Sequence, residues 1–176
     1  MRKVVLYQLL SLDGVAEEPS WFTDGDPELV ENLRRVIASQ DDVLLGRGTY
    51  DYWAGHWPTS DMEPFASFIN STPKHVVTSG TPELEWSNST LVATPVADYV
   101  ADLKARPGGD IGIHGSIRLA QSLLRDRLVD VLRLVVAPVV AGRGRRLFEG
   151  DDDLQRLELL DVARSANGTL FLAYGA

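Results

Sequence analysis

Short apolar runs alternate with stretches of helical hydrophobic spacing along the first 130 residues of the chain. A short apolar run bounded by polar or turn residues is typical of a buried strand, whereas apolar positions three and four apart indicate one face of a helix. Strands are predicted at residues 4–10, 42–46, 74–79, 90–93 and 110–114, and helices after residue 26, at 49–54, at 62–71, from 96 and after 116. The repeated order of strand then helix predicts a largely parallel sheet.

The pattern changes after residue 130, where residues 131–140 are predicted to form one long strand and 145–148 a short one. Two further strands, at 157–163 and 169–174, are separated by a segment that contains Asn167-Gly168, a strong hairpin signal. We therefore predict an α/β fold of three layers, in which helices flank a mixed, mostly parallel central sheet with an antiparallel C-terminal hairpin. No linker-like segment interrupts the pattern, so residues 1–176 are predicted to form a single domain.

Composition narrows the class of protein. Apolar residues make up 44% and charged residues 24% of the 176 positions, a balance typical of a globular domain. The chain has no cysteine, which excludes disulfides and thiolate chemistry, and its net charge of −8 argues against a nucleic-acid partner. No apolar run reaches the roughly 18 residues that span a membrane, and the first lacks a cleavage site, so we expect a cytoplasmic protein without a membrane segment.

Four predicted strand ends combine glycine with hydroxyl, acidic or basic residues, namely residues 11–14, 46–49, 78–80 and 114–116. The carboxyl ends of parallel strands meet at one edge of a sheet, where ligands bind. Glycine allows a phosphate to approach the backbone, a helix N-terminus attracts it, and Arg47 can pair with it. One such turn alone is most simply an ordinary connection, but four at successive strands favour a phosphate-binding edge.

Other polar residues carry weaker signals. His114 precedes Gly115, although a packed or backbone-bonded histidine is the simpler interpretation. The absence of cysteine and of paired histidines predicts that there is no metal site, and Ser116 has no histidine–acid pair at a recognisable spacing. Residues 142–144 (Gly-Arg-Gly) are interpreted as a bend or bulge between antiparallel strands rather than a phosphate loop. Residues 151–153, three aspartates, are interpreted as a solvated turn and helix cap.

Aromatic residues concentrate near the first two strand ends. Flat side chains there suit a planar heterocyclic ligand, and a small satellite core under the long loop is an equally good interpretation. The residues concerned are Trp21, Tyr50, Tyr52, Trp53 and Trp57.

Taken together, these segments resemble the dihydrofolate reductase superfamily. The resemblance is strongest to the branch related to the RibD-type C-terminal reductase domain of riboflavin biosynthesis. It covers nearly the whole chain and is carried by residues 11–14, 45–50, 73–79, 114–116, 128–130, 138–144, 147–148 and 168–174.

The resemblance implies an NADPH-dependent reductase acting on a small heterocyclic substrate, similar to 5-amino-6-(5-phosphoribosylamino)uracil reductase. It places Arg47, Thr49 and Ser79 on the adenosine phosphate side, with Arg118 added, and it places Gly115, Ser116 and Ile117 at the pyrophosphate. Residues 12–14 would lie beside the nicotinamide. The full implied cofactor set is Leu12, Asp13, Gly14, Gly46, Arg47, Thr49, Ser79, Gly115, Ser116, Ile117 and Arg118.

The substrate side is less defined by the resemblance. Dihydrofolate reductases themselves carry a carboxylate on the first helix, where this chain offers Asp26 (expected to be an N-cap), Glu28 and Glu31. Glu31, Trp21 and Trp53 are the substrate candidates, and no catalytic residue is assigned. A dihydrofolate reductase-like activity and a dinucleotide-binding protein without efficient catalysis stay open. A homodimer is expected, since related domains pair through their C-terminal strands.

Overall fold

The computed structural model describes residues 1–22, 26–150 and 154–176. Within these residues the strands are β1 Val4–Leu10, β2 Gln40–Gly46, β3 Lys74–Val77, β4 Ser89–Val92, β5 Asp110–Ile113, β6 Val131–Val136, β7 Glu158–Arg164 and β8 Leu170–Gly175. The helices are α1 Pro27–Ile37, α2 Arg47–Ala54, α3 Phe65–Ser71, α4 Val96–Ala105 and α5 Ile117–Arg125, and a 3-10 turn spans Trp57–Thr59.

All of these strands join one sheet in the order β4-β3-β2-β5-β1-β6-β8-β7. The first six run parallel, with Leu6 of β1 paired to Ile113 of β5 on one side and to Leu132 of β6 on the other. Strands β8 and β7 are antiparallel additions beyond β6. The predicted mixed sheet, parallel first and ending in an antiparallel hairpin, is confirmed.

The sheet has helices on both faces, because successive strand residues point to opposite sides. Leu44 belongs to the apolar cluster that contains Val100 of α4 and Leu123 of α5. The next residue, Leu45, belongs to the cluster that contains Ile69 of α3. The strands therefore bury both faces, as expected of the central layer of a three-layer fold.

Helix α1 begins where the sequence predicts. The Asp26 carboxylate accepts hydrogen bonds from the backbone N–H groups of Glu28 and Leu29, and Pro27 occupies the first turn, where its missing N–H costs nothing. Val36 of this helix packs with Tyr7 on the same face of the sheet as α3.

Two predicted C-terminal elements are shorter than expected. The strand predicted at 131–140 ends at Val136, since Pro138 has no N–H to continue the ladder and the chain turns there. The strand predicted at 145–148 is reduced to a single bridge between Val15 and Arg146. Residues 142–144 accordingly lie in a loop after β6 that bends at residues 143–144, so the predicted bend is present but a bulge between two antiparallel strands is not. The three aspartates at 151–153 lie outside the described residues.

A charged network joins several elements at the end of the sheet where the parallel strands begin. The Arg2 guanidinium donates to the Gly109 carbonyl at 2.6 Å and pairs with Asp42. His75 bonds Asp42 at 2.6 Å through Nε2 and the Tyr99 hydroxyl at 2.8 Å through Nδ1. These bonds join the residues just before β1 and β5 to β2, β3 and α4, at the strand ends away from residues 46–49 and 114–116.

Candidate functional site

The ends of β2 and β5 meet at the edge of the sheet through two glycines. The Gly46 N–H donates to the Gly115 carbonyl at 3.2 Å. A Cβ atom on Gly46 would lie 2.2 Å from Ser116 Oγ, and one on Gly115 would lie 2.9 Å from Thr49 Oγ1. Gly115 also has φ +148°, a conformation that other residues rarely adopt. The structure thus brings together four predicted residues, Gly46, Thr49, Gly115 and Ser116.

Helix α5 begins directly at this contact. The Ser116 side chain caps it by accepting a hydrogen bond from the Leu119 N–H at 3.3 Å. Ile117 and Arg118 form the first turn, and the Arg118 side chain is exposed. N–H groups in the first turn of a helix have no partner within the helix, and the positive end of its dipole lies there, so this terminus can hold an anion.

Arg47 and Ser79 follow neighbouring strands at the same edge. Arg47 opens α2 and is exposed, but its Nε is 2.6 Å from one carboxylate oxygen of Asp51, one turn further on. Ser79 is also exposed and lies two residues after the end of β3. A phosphate that bound Arg47 would therefore compete with the Asp51 carboxylate for the guanidinium.

Asp13 holds two loops together. Its carboxylate accepts hydrogen bonds from the Ser11 hydroxyl at 2.7 Å and from the N–H groups of Ala141 and Gly142 at 2.9 and 3.0 Å. The Ser11 hydroxyl, followed by these backbone donors, keeps the pKa of Asp13 far below its ordinary value. The sequence places Asp13 in the cofactor set but does not reveal this connection to a loop 128 residues away.

Leu12 and Gly14, the neighbours of Asp13 in the loop after β1, are accessible at the surface. The Leu12 side chain is 65% exposed. Gly14 has φ +83°, and a Cβ added there would have no atom within 4 Å. The loop therefore has a fixed backbone and a free outer surface.

Two of the predicted aromatic residues, Trp53 and Trp57, pack beside α3, whereas Tyr52 is exposed. Trp53 and Trp57 both contact Phe65 edge-on, at centroid distances of 5.4 and 4.8 Å. Trp21 is partly buried, and its buried indole Nε1, like that of Trp57, has no hydrogen-bond partner among the described residues. Buried N–H groups of this kind are uncommon in native proteins.

The three acids near the start of α1 are all engaged. Asp26 caps the helix, and the Glu28 carboxylate accepts a hydrogen bond from the Ala166 N–H in the β7–β8 turn at 2.7 Å. Glu31 is half exposed and lies 3.6 Å from Arg34 and 3.4 Å from Arg35. The structure does not bring Glu31 together with the residues of the glycine contact.

His114 has a partner that the sequence does not indicate. Its Nε2 lies 2.7 Å from Oε1 of Gln40, and its ring lies 5.9 Å from that of Tyr7 and 5.3 Å from that of Phe65. Gly112 makes this pairing possible, since a Cβ there would lie 2.1 Å from Gln40 Oε1. A glycine inside a predicted strand was the one available signal of a close approach.

The described parts of the chain contain no group of three or more His, Asp or Glu side chains that is arranged to hold a metal ion. None of the described helices has the length and apolar character needed to cross a membrane.

The mixed sheet, its flanking helices and the glycine contact at one edge define an α/β domain of dihydrofolate reductase-like architecture. The chain belongs to the RibD C-terminal domain family, whose model matches residues 2–171. This is a family of reductase domains, so the protein is an oxidoreductase by family, and the resemblance inferred from the motifs is confirmed.

Several known proteins are similar over nearly the whole chain. The uncharacterized protein YyaP of Bacillus subtilis (strain 168) is 25% identical over 98% of this chain and 94% of its own length. A pyrimidine reductase-like protein of Corynebacterium diphtheriae superposes with a TM-score of 0.65 at 17% identity, covering 99% and 91% of the two chains. A diaminohydroxyphosphoribosylaminopyrimidine deaminase/5-amino-6-(5-phosphoribosylamino)uracil reductase of Thermotoga maritima gives 0.71 at 16% identity, with 99% of this chain and 56% of that one covered.

Proposed function

We propose that this protein is an NADPH-dependent reductase that transfers a hydride to a small nitrogen heterocycle. The proposed reaction is similar to that of the 5-amino-6-(5-phosphoribosylamino)uracil reductase for which the Thermotoga maritima protein is named. This chain covers 56% of the length of that protein. Membership of a family of reductase domains supports the reaction class. When bound, NADPH supplies the hydride, and the protein binds and orients the two reactants.

The contact between Gly46 and Gly115 is the observation that carries the proposal. It allows the end of β2 to pack directly against the start of α5, since Ser116 and Thr49 occupy the space that a Cβ on either glycine would need. The N-terminus of α5 is thereby held beside the turn at residues 46–49, and a pyrophosphate fits there because it needs N–H groups and a positive dipole. Ile117 and Arg118, in the first turn of α5, supply the nearest N–H groups.

Selectivity for NADPH is assigned to exposed residues at the same edge. Arg47, Ser79 and Arg118 are proposed to bind the phosphate on the adenosine, which NADH lacks. In a chain of net charge −8, local arginines are needed to attract such a ligand. Binding would exchange the exposed ion pair between Arg47 and Asp51 for a guanidinium–phosphate pair, which is frequently bidentate.

The nicotinamide is proposed to lie beside residues 12–14. Asp13 acts there by fixing the loop through Ala141 and Gly142, so that the backbone of Leu12 and Gly14 has one position. A fixed loop supports hydride transfer because the reacting atoms must be held about 3–3.5 Å apart.

Two alternatives make different predictions. A dihydrofolate reductase-like activity needs an available carboxylate on the first helix, where Asp26 and Glu28 bind backbone N–H groups and Glu31 is paired on the surface with arginines. A dinucleotide-binding protein without efficient catalysis would bind NADPH and turn nothing over. We expect NADPH to raise the melting temperature of the full chain and to be oxidised with the ribosylaminouracil phosphate but not with dihydrofolate. Failure of NADPH to raise the melting temperature would contradict the proposed function.

A homodimer formed through β7 is also proposed. Strand β7 is at the end of the sheet, and all seven of its residues are exposed. Antiparallel pairing of two β7 strands about Asp161 would place Glu158 of one copy opposite Arg164 of the other. The exposed apolar residues of this region are Leu154, Leu157, Leu159, Leu160, Val162 and Leu170.

The absence of a nucleic-acid partner is proposed on the acidic composition of the chain. A cytoplasmic location is also a proposal.

A further inference from the structure

An open cleft, here called the α2 cleft, lies between α2 and the segment that connects β3 to β4. Its volume is about 670 Å³, within the range of clefts that hold small molecules. Among the described residues, none of the proposed cofactor ligands lines it, so it is a separate site. Its lining residues are Tyr50, Asp51, Ala54, Gly55 and Pro58 on one side and Glu83, Glu85, Trp86 and Ser87 on the other.

The segment between β3 and β4 brings two carboxylates to this cleft. Leu84 and Trp86 pack into the apolar cluster under α2 and α3, whereas Glu83 and Glu85 are exposed and line the cleft. Trp86 is only 6% exposed, and its backbone N–H donates to the Tyr50 hydroxyl at 3.0 Å. The wall that carries the two glutamates is therefore fixed to α2 by a buried side chain.

The carboxylates of the α2 cleft have no matching cation in its wall. Neither Glu83 nor Glu85 has a hydrogen bond or an ion pair with another described residue. Asp51 is held from outside the cleft by Arg47, whose Nε lies 2.6 and 2.7 Å from its two carboxylate oxygens. Among the described residues that line the cleft there is no lysine, arginine or histidine. The potential in the cleft is therefore negative and attracts a cation.

The other lining residues indicate which kind of cation fits. The described residues contain no group of carboxylates arranged to hold a metal ion. Ala54 and Pro58 add apolar surface to a cleft whose carboxylates come from both walls. An aliphatic polyamine combines ammonium groups, which pair with carboxylates, and methylene groups, which cover apolar surface as the stem of a lysine does.

We propose that the α2 cleft binds an aliphatic polyamine and that binding releases Arg47 for the phosphate of NADPH. The ammonium groups pair with Glu83, Glu85 and Asp51, so that Asp51 no longer holds the Arg47 guanidinium. The release of Arg47 rests on the proposed reductase function, whereas the polyamine site does not. Because binding free energies are linked, polyamine and NADPH strengthen each other's binding by the same factor.

The first test is the binding of spermidine to the full chain without NADPH. Calorimetry at constant ionic strength should show a saturable site. Glu83→Gln with Glu85→Gln should weaken binding at least about tenfold, because two charge-assisted contacts are lost. Both side chains lack partners among the described residues, so this variant should fold. Absence of saturable binding to the native chain would overturn the polyamine site.

Asp98→Asn with Asp102→Asn is the matched control. It removes the same amount of charge from exposed residues of α4, a helix on the other face of the sheet. This variant should bind spermidine as the native chain does. An equal loss of affinity in the two double variants would show that spermidine responds only to net charge, and it would overturn the α2 cleft as a site.

The second test is the affinity for NADPH at saturating spermidine. An exposed ion pair such as that of Arg47 with Asp51 is weak, so we expect NADPH to bind about two- to fivefold more tightly, and NADH to bind unchanged. Asp51→Asn should abolish the effect, since Arg47 is already free in that variant, and so should the glutamate double variant. The affinity for spermidine should rise by the same factor when NADPH is bound.

The two proposals fail in different ways. If spermidine binds through the two glutamates but NADPH affinity does not change, the polyamine site stands and the release of Arg47 is wrong. If NADPH does not bind the chain at all, the proposed function is wrong, and the calorimetry without NADPH still decides the polyamine site.

Discussion

Gly46 and Gly115 contact each other through their backbones, with the N–H of the first donating to the carbonyl of the second at 3.2 Å. The contact joins the ends of β2 and β5 and is covered by Thr49 and Ser116. The residues proposed for the phosphate side of the cofactor belong to these two segments or to the neighbouring end of β3. The separation of the two strand ends therefore sets the spacing of the proposed phosphate ligands.

One added methyl group tests this arrangement. In Gly115→Ala the new Cβ lies 2.9 Å from Thr49 Oγ1 at φ +148°. We expect the free energy of unfolding to fall by about 1–3 kcal/mol from backbone strain. NADPH affinity should fall at least about tenfold, since hydrogen bonds to charged groups contribute about 1.5–3 kcal/mol each. Calorimetry and urea unfolding measure the two effects.

Gly55→Ala is the matched control. Gly55 is exposed at the C-terminal end of α2 with φ −85°, and a Cβ there would have only the Tyr52 carbonyl oxygen within 4 Å, at 3.7 Å. Alanine there should change stability by less than about 0.5 kcal/mol and leave NADPH affinity unchanged. Equal loss of NADPH affinity in both variants would contradict the role of the glycine contact.

Variants at Arg47 test whether the proposed cofactor site prefers NADPH to NADH. Arg47→Ala should weaken NADPH by about tenfold to a hundredfold, the worth of one charge-assisted pair, while NADH binding changes little. Asp51→Asn removes the carboxylate that holds the guanidinium, so it should leave NADPH binding equal or tighter. Dissociation constants for both nucleotides measure the effect. The same loss for NADH as for NADPH would contradict the assignment.

The lowered pKa of Asp13 predicts how the stability of the protein changes at acidic pH. Its pKa is far below normal in the folded protein, chiefly because of the Ser11 hydroxyl, so the unfolded chain binds the proton more readily. The stabilisation is complete above the ordinary pKa of aspartate, about 4, and is lost as the pH falls below it. Asp13→Asn should therefore melt lower than the native chain at pH 7, and the difference should shrink towards pH 3. A difference independent of pH would contradict this account.

The lowered pKa of Lys74 predicts how the stability of the protein changes at alkaline pH. This fully buried lysine donates to the carbonyls of Ile69 and Thr72 at 2.8 and 2.9 Å and lies over Trp86. Burial lowers its pKa from 10.5 to about 8, so between these values the unfolded chain binds more protons and stability rises with pH. Lys74→Met lacks this titration and should lose about 1–3 kcal/mol at pH 7 through the unpaired carbonyls. Melting curves of both proteins from pH 7 to 10.5 should diverge, and parallel curves would contradict the prediction.

Local signals explain what the sequence predicts well and what it does not. β1 and the start of α1 depend on a short apolar run and on Asp26 with Pro27, so both lie where predicted. The strand at 131–140 was predicted too long because hydrophobicity outweighed Pro138. The pairing of Gln40 with His114 spans 74 residues and depends on the space above Gly112, which no local pattern contains.

The exposed strand β7 gives the last prediction. Leu160 and Val162 are each more than half exposed on a strand whose outer edge has no partner among the described residues. If two copies pair there, the native chain should sediment at twice its 19.3 kDa mass. Leu160→Glu with Val162→Glu should yield monomers, because residue 160 of one copy lies opposite residue 162 of the other and like charges would face each other in an apolar contact. Met62→Lys, at an exposed apolar residue on a different part of the chain, is the control that should stay dimeric. Analytical ultracentrifugation measures the masses, and a native monomer at micromolar concentration would contradict the proposed dimer.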